Sequence, residues 1–111
     1  MTVNSLEEAR EVQYSPVTGI IRHAVLHFPP GCNSLVEIFI HRRTEQILPE
    51  GRVGIALDDA TQLFEINEPV IKGDPIRVIA RNHDDTYPHT VTAIIYIEKT
   101  TLEGIRPIEV I

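Results

Sequence analysis

Apolar and polar positions alternate along most of this chain, and the alternation predicts strands rather than helices. Between Thr18 and Phe28 two rows separate. Ile21, His23, Val25 and His27 form one, and Ile20, Arg22, Ala24, Leu26 and Phe28 form the other. A period of two is the signature of a pleated strand. Pro29-Pro30-Gly31 ends the run, because two prolines remove two ladder donors. Leu35 to His41 reads as the next strand, with Val36, Ile38 and Ile40 in one row and Leu35 and Phe39 in the other. Pro49-Glu50-Gly51 marks a turn. Short strands are then predicted at Val53 to Leu57, closed by Asp58-Asp59, and at Leu63 to Ile66. The stretch Glu68 to Asp74 extends, turns at Lys72-Gly73-Asp74 and launches a strand in which Ile76, Val78 and Ala80 alternate with Arg77, Ile79 and Arg81. His89 to Glu98 carries the clearest alternation. Val91, Ala93, Ile95 and Ile97 lie on one row, and Thr90, Thr92, Ile94 and Tyr96 on the other.

No segment sustains a helical period, and Val, Ile and Thr fill every run, which suits a pleated surface. About seven or eight short strands between Pro, Gly and Asp turns imply an all-β chain, a single antiparallel sandwich of the jelly-roll or immunoglobulin-like kind. The expected layout is a polar N-terminal arm over residues 1–11, flexible or docked on a partner, a sandwich over 12–99, and an apolar tail over 100–111. Pro107 keeps that tail from being a regular central strand. Its Leu102, Ile105, Ile108, Val110 and Ile111 must be covered, either as an edge strand of the same domain or as an arm on another subunit.

Composition narrows the function classes. A length of 111 residues at 42% hydrophobic content makes one domain with its own core. No apolar run reaches the roughly 18 residues a membrane helix needs. The first ten residues are polar and acidic, so no secretory signal is expected. One cysteine makes no internal disulfide and no multi-cysteine zinc site. A net charge of -6 argues against general nucleic-acid binding, which needs surplus Lys and Arg.

The chemistry-bearing candidates are few. His23 and His27 share a predicted face, but four residues of strand separate them by about 13 Å, too far for one metal. His83 and His89 flank a loop with Asp84 and Asp85, a His-plus-carboxylate set of the kind zinc or copper takes. Asp58 and Asp59 form a second acidic pair, in a turn where Asp side chains also cap backbone amides. Tyr87 lies in the same loop as Asp84 and is the best aromatic for a glycan. Cys32 follows Pro-Pro-Gly and reads as a small packing residue. No nucleophile motif, phosphate loop or nucleotide fingerprint is present, so no catalytic residue and no cofactor are expected.

Two resemblances rest on Arg81 to Thr92. The run Asn82-His83-Asp84 followed by Pro88-His89-Thr90-Val91 resembles the cupredoxin segment that carries the first copper histidine, which would make His89 a ligand. The resemblance ends there, because the Cys and second His that a blue-copper site needs do not follow. A longer set of pieces is similar to small β-sandwich proteins of phage and virus-like gene sets. These are Phe28 to Cys32, Leu35-Val36, Leu48-Pro49, Asp58-Asp59, Phe64 and Asn82 to Val91. That resemblance implies a virion or assembly component and carries no active-site residues across. The resulting expectation is a non-enzymatic structural protein that forms a homo-oligomer, a trimer or larger, such as a capsid or decoration subunit. The alternative is a metal- or glycan-binding sandwich that uses the 58–59 and 82–89 loops.

Overall fold

The computed structural model describes the backbone of residues 1–101 and 104–110 and the side chains of residues 1–100. It is all-β and sandwich-like. The strands are β1 (Thr2–Val3), β2 (Glu8–Tyr14), β3 (Gly19–Phe28), β4 (Val36–Arg42), β5 (Glu45–Leu48), β6 (Ala60–Val70), β7 (Pro75–Asn82), β8 (His89–Thr90), β9 (Thr92–Thr101) and β10 (Gly104–Val110). One sheet runs β2-β7-β4-β5 and the other β10-β9-β3-β6, with β1 and β8 as a separate pair. All of these pairings are antiparallel.

The core lies between the two four-stranded sheets. Ala24, Leu26 and Phe28 of β3 are fully buried, as are Val36, Ile38 and Ile40 of β4, Ala80 of β7 and Ile97 of β9. Cys32 is fully buried beside the Pro29-Pro30-Gly31 turn, and burial first, then the charge of Asp58, pushes its thiol pKa up.

The two rows expected on β3 are corrected by a bulge. Its register shifts between Ile21 and His23 against both β6 and β9. An extra residue reverses the alternation. Ile21 therefore joins Ala24, Leu26 and Phe28 inside, while His23, Val25 and His27 are partly or fully exposed. On β6 the same irregularity holds Asn67 at φ 59°, a left-handed conformation Asn tolerates. Asn67 Oδ1 accepts from Arg22, which also pairs with Glu98.

The arm expected over residues 1–11 is also corrected. Thr2 and Val3 pair with Thr90 and His89, and Glu8 to Glu11 pair with Arg81 to Val78. Val3 is buried. The polar composition that suggested an arm belongs to β2, an outermost strand open to solvent along most of its length. The tail backbone from Gly104 to Val110 lies as an edge strand on β9, with a bulge between Ile105 and Ile108 that accommodates Pro107. Leu102 and Ile111 lie outside the described residues, as do the side chains of Ile105, Ile108 and Val110. The strand expected at Val53 to Leu57 reduces to one bridge, between Ile55 and Ile38. The predicted strand from His89 to Glu98 is divided at Val91 and continues to Thr101.

Candidate functional site

The loop after β7 is built around two buried polar side chains. Asn82, at the end of β7, donates from Nδ2 to the carbonyls of Val3 and Tyr87 and accepts from the Asp84 amide at 2.9 Å. Asp84 Oδ1 accepts from the amides of Thr86 and Tyr87, while Oδ2 accepts from His89 Nε2 at 2.8 Å. His89 first, then the Thr86 amide, holds the Asp84 carboxyl below its ordinary pKa. A carboxylate so engaged closes a turn.

His83 points elsewhere. Its Nε2 pairs with Glu37 Oε1, and Glu37 Oε2 accepts from the Gly54 amide at 2.8 Å. The Gly54 amide first, with help from His83, keeps the Glu37 carboxyl below its ordinary pKa despite partial burial. His83 and His89 thus have separate carboxylate partners. Among the described residues no three His, Cys, Asp or Glu side chains are grouped so as to hold a metal ion. Asp85 bonds the Thr86 hydroxyl. Asp58 Oδ1 accepts from the amides of Gly31 and Asn33, which caps the Pro-Pro-Gly turn. Gly31, at φ 99°, needs a glycine's freedom there. Asp59 has φ 45° in the neighbouring position. Tyr87 is 64% exposed.

One concavity among the described residues has no counterpart among the sequence candidates. On the outer face of the β2-β7-β4-β5 sheet, Arg10, Arg43, Arg52, Arg77, Arg81 and His41 surround a cleft of about 480 Å3. The register explains the gathering. Arg81 of β7 faces Glu8 of β2 and Glu37 of β4, Ile79 faces Arg10 and Phe39, and Arg77 faces Val12 and His41. Phe39 and Ile79 form an apolar floor, each 5% exposed, and the Arg81 guanidinium sits 5.0 Å over the Phe39 ring. Arg52 arrives from the loop after β5. Gln46 Nε2 donates to the carbonyls of Pro49 and Gly51, and the Glu37–Gly54 bond and the Ile55–Ile38 bridge fix the loop beyond. The signal in the sequence was the outward row Arg77, Ile79, Arg81. The other arginines come from β2, from the turn after β4 and from the 49–57 loop, so their convergence depends on strand order.

A smaller cleft of about 110 Å3 opens between the sheets at Met1, with Ile76 and Val78 on one wall and Val91 and Ala93 on the other. On the outer face of the second sheet, Val25 lies between Leu63 of β6 and Ile94 of β9, a row of three aliphatic side chains. Leu63 is 52% exposed, and Val25 and Ile94 are half-buried. Beside the row the His23 and Tyr96 rings lie 4.6 Å apart.

No protein-family model matches the chain, and no curated protein or solved structure matches it either.

Proposed function

We propose that this chain is a non-enzymatic structural protein that acts by self-association into a homo-oligomer, a trimer or larger, as a capsid or decoration subunit of a virion does. The observation that carries this reading is the aliphatic row Leu63, Val25 and Ile94 on the outer face of β6-β3-β9. A half-buried sheet face ordinarily shows polar residues to water, and an aliphatic row across three adjacent strands is a surface suited to a protein partner. Symmetric copies of one chain bury such a face by pairing like surfaces or closing a ring. Placement of the tail backbone as the outermost strand beside this face supports the same reading, since an edge strand is a template for further pairing.

The test is the mass of the particle in solution. Sedimentation velocity across a wide concentration range is expected to give a trimer or larger for the intact chain. Leu63→Glu is expected to shift it to monomer while leaving the circular dichroism spectrum unchanged. An intact chain that stays monomeric at high concentration refutes the proposal.

A second reading, a glycan- or metal-binding module, is favoured only by the exposed Tyr87 ring beside the ordered Asp84 turn. Metal analysis of protein purified without a histidine tag, and of His89→Ala, separates it from the first.

A further inference from the structure

The chain carries 10 Lys and Arg against 16 Asp and Glu, yet five of those ten basic residues line the cleft on the β2-β7-β4-β5 face. Their carboxylate partners are few. Glu8 serves both Arg10 and Arg81, and Asp74 serves Arg43 while it also binds Arg42. Among the described residues no carboxylate lies within 4.0 Å of the Arg52 or Arg77 guanidinium. Arg77 instead donates to the Arg43 carbonyl at 2.5 Å, which orients it along the cleft. A concentration of guanidiniums in an acidic protein is unfavourable unless something anionic compensates it.

We propose that this cleft binds a small molecule bearing two or three linked phosphates. Guanidinium groups present planar, paired donors that match phosphate oxygens, and several converging forks hold a linked phosphate chain better than a single charge does. The apolar floor of Phe39 and Ile79 lowers the local dielectric and strengthens those contacts. Gln46 and Glu37 bond the backbone at Gly51 and Gly54, so the chain on both sides of Arg52 is held before a ligand arrives.

The dimensions select a short ligand. Arg77 and Arg81 are four residues apart on β7, about 13 Å. Level with Arg81 the register places Glu8 on one side and Glu37 on the other, and at the opposite end Asp74 takes one side of Arg43. A long polyanion running with the strands would meet these carboxylates, and the net charge of -6 would oppose its approach. A short phosphate chain fits between them.

Isothermal titration of the intact chain at about 0.15 M salt, with inorganic tripolyphosphate in one arm and ADP in the other, tests the assignment. Saturable binding of either probe is expected. Tighter binding of ADP identifies a nucleotide as the source of the phosphates, and equal or tighter binding of tripolyphosphate a free phosphate chain. Arg52→Gln/Arg77→Gln is expected to weaken binding by about tenfold or more. Arg52→Gln alone, on an exposed loop, gives a smaller loss and controls for folding. Three results overturn the proposal. One is no saturable binding of either probe, and another is unchanged affinity in the double variant. The third is tighter binding of a single-stranded oligonucleotide than of tripolyphosphate. Self-association that vanishes in the double variant, with no phosphate binding in the parent, also overturns it, in favour of an acidic segment of a second copy.

Discussion

Replacing Asp74 with Ala should destabilise the sandwich by about 3 kcal/mol, and the magnitude follows from what the carboxylate holds. Asp74 is 5% exposed, at the turn between β6 and β7. Its Oδ2 accepts from the Ile71 amide and from Arg42, each near 2.9 Å, and its Oδ1 accepts from Arg43. Removing the carboxylate leaves the Ile71 amide without this partner. It also leaves Arg42, whose side chain is 17% exposed, with Glu68 at 3.5 Å. Hydrogen bonds to charged groups are worth about 1.5–3 kcal/mol each. The Arg43 pair adds at most about 1 kcal/mol, because that side chain is 54% exposed and solvent screens it. The contributions share one carboxylate and do not simply sum, which gives the figure above. A fall in Tm of roughly 10 °C or more corresponds to it in a domain of this size. Thermal and urea unfolding followed by circular dichroism measure both quantities. The sign of the pH dependence is a second check. The Ile71 amide, followed by the two arginines, holds the Asp74 carboxyl below its ordinary pKa. Its contribution is therefore complete above about pH 4 and is lost as pH falls through the lower folded value. The gap between parent and variant should narrow between pH 7 and pH 3. A loss below about 1 kcal/mol at pH 7, or a gap that does not close in acid, would refute the reasoning.

Asn82→Ala removes three hydrogen bonds made by a residue 2% exposed and should cost about 2–3 kcal/mol, read as a lower urea midpoint with faster amide exchange near Val3. Gly54→Ala places a methyl carbon 2.8 Å from Glu37 Cβ and 2.9 Å from the Phe39 ring. It should cost about 1–3 kcal/mol and lift the loop that carries Arg52, seen as earlier proteolysis within residues 49–57. Asp84→Asn should flatten the acid limb of the stability profile, since the His89-paired carboxyl has a depressed pKa and its stabilisation fades as pH drops below about 4.

Local alternation carried the fold a long way. β3, β4 and β7 lie within a residue or so of where their periodicity puts them, because β4 and β7 each have a run of three apolar residues in one row and β3 stops at Pro29. β5 escaped notice because four residues with Gln46 at their centre do not establish a period. β6 runs well beyond Leu63–Ile66, to Val70, since an outermost strand tolerates Pro69 and shows Glu65 and Asn67 to solvent. The acidic pairs were legible as turn residues, and Asp58 and Asp84 cap amides as turn chemistry predicts. Pairing of His83 with Glu37 was not legible, because 46 residues separate them and only the β4-β7 neighbourhood brings them together. The same limit hid the arginine cleft. Net charge averages over the whole surface, whereas the β2-β7-β4-β5 order sorts five arginines onto one side of it.

The bulge at Arg22 is what lets Ile21 and Leu26, an odd number of residues apart, both face the core. Substituting Arg22 changes one solvent-side group that pairs with Glu98 and Asn67. Deleting it would set Ile21 and Leu26 four residues apart, on one face under unbroken alternation, and would bring the ladder to β9 into step while leaving Ile66 and Asn67 of β6 unopposed. The cost of a one-residue deletion here therefore falls on the β3-β6 ladder and not on the β3-β9 ladder.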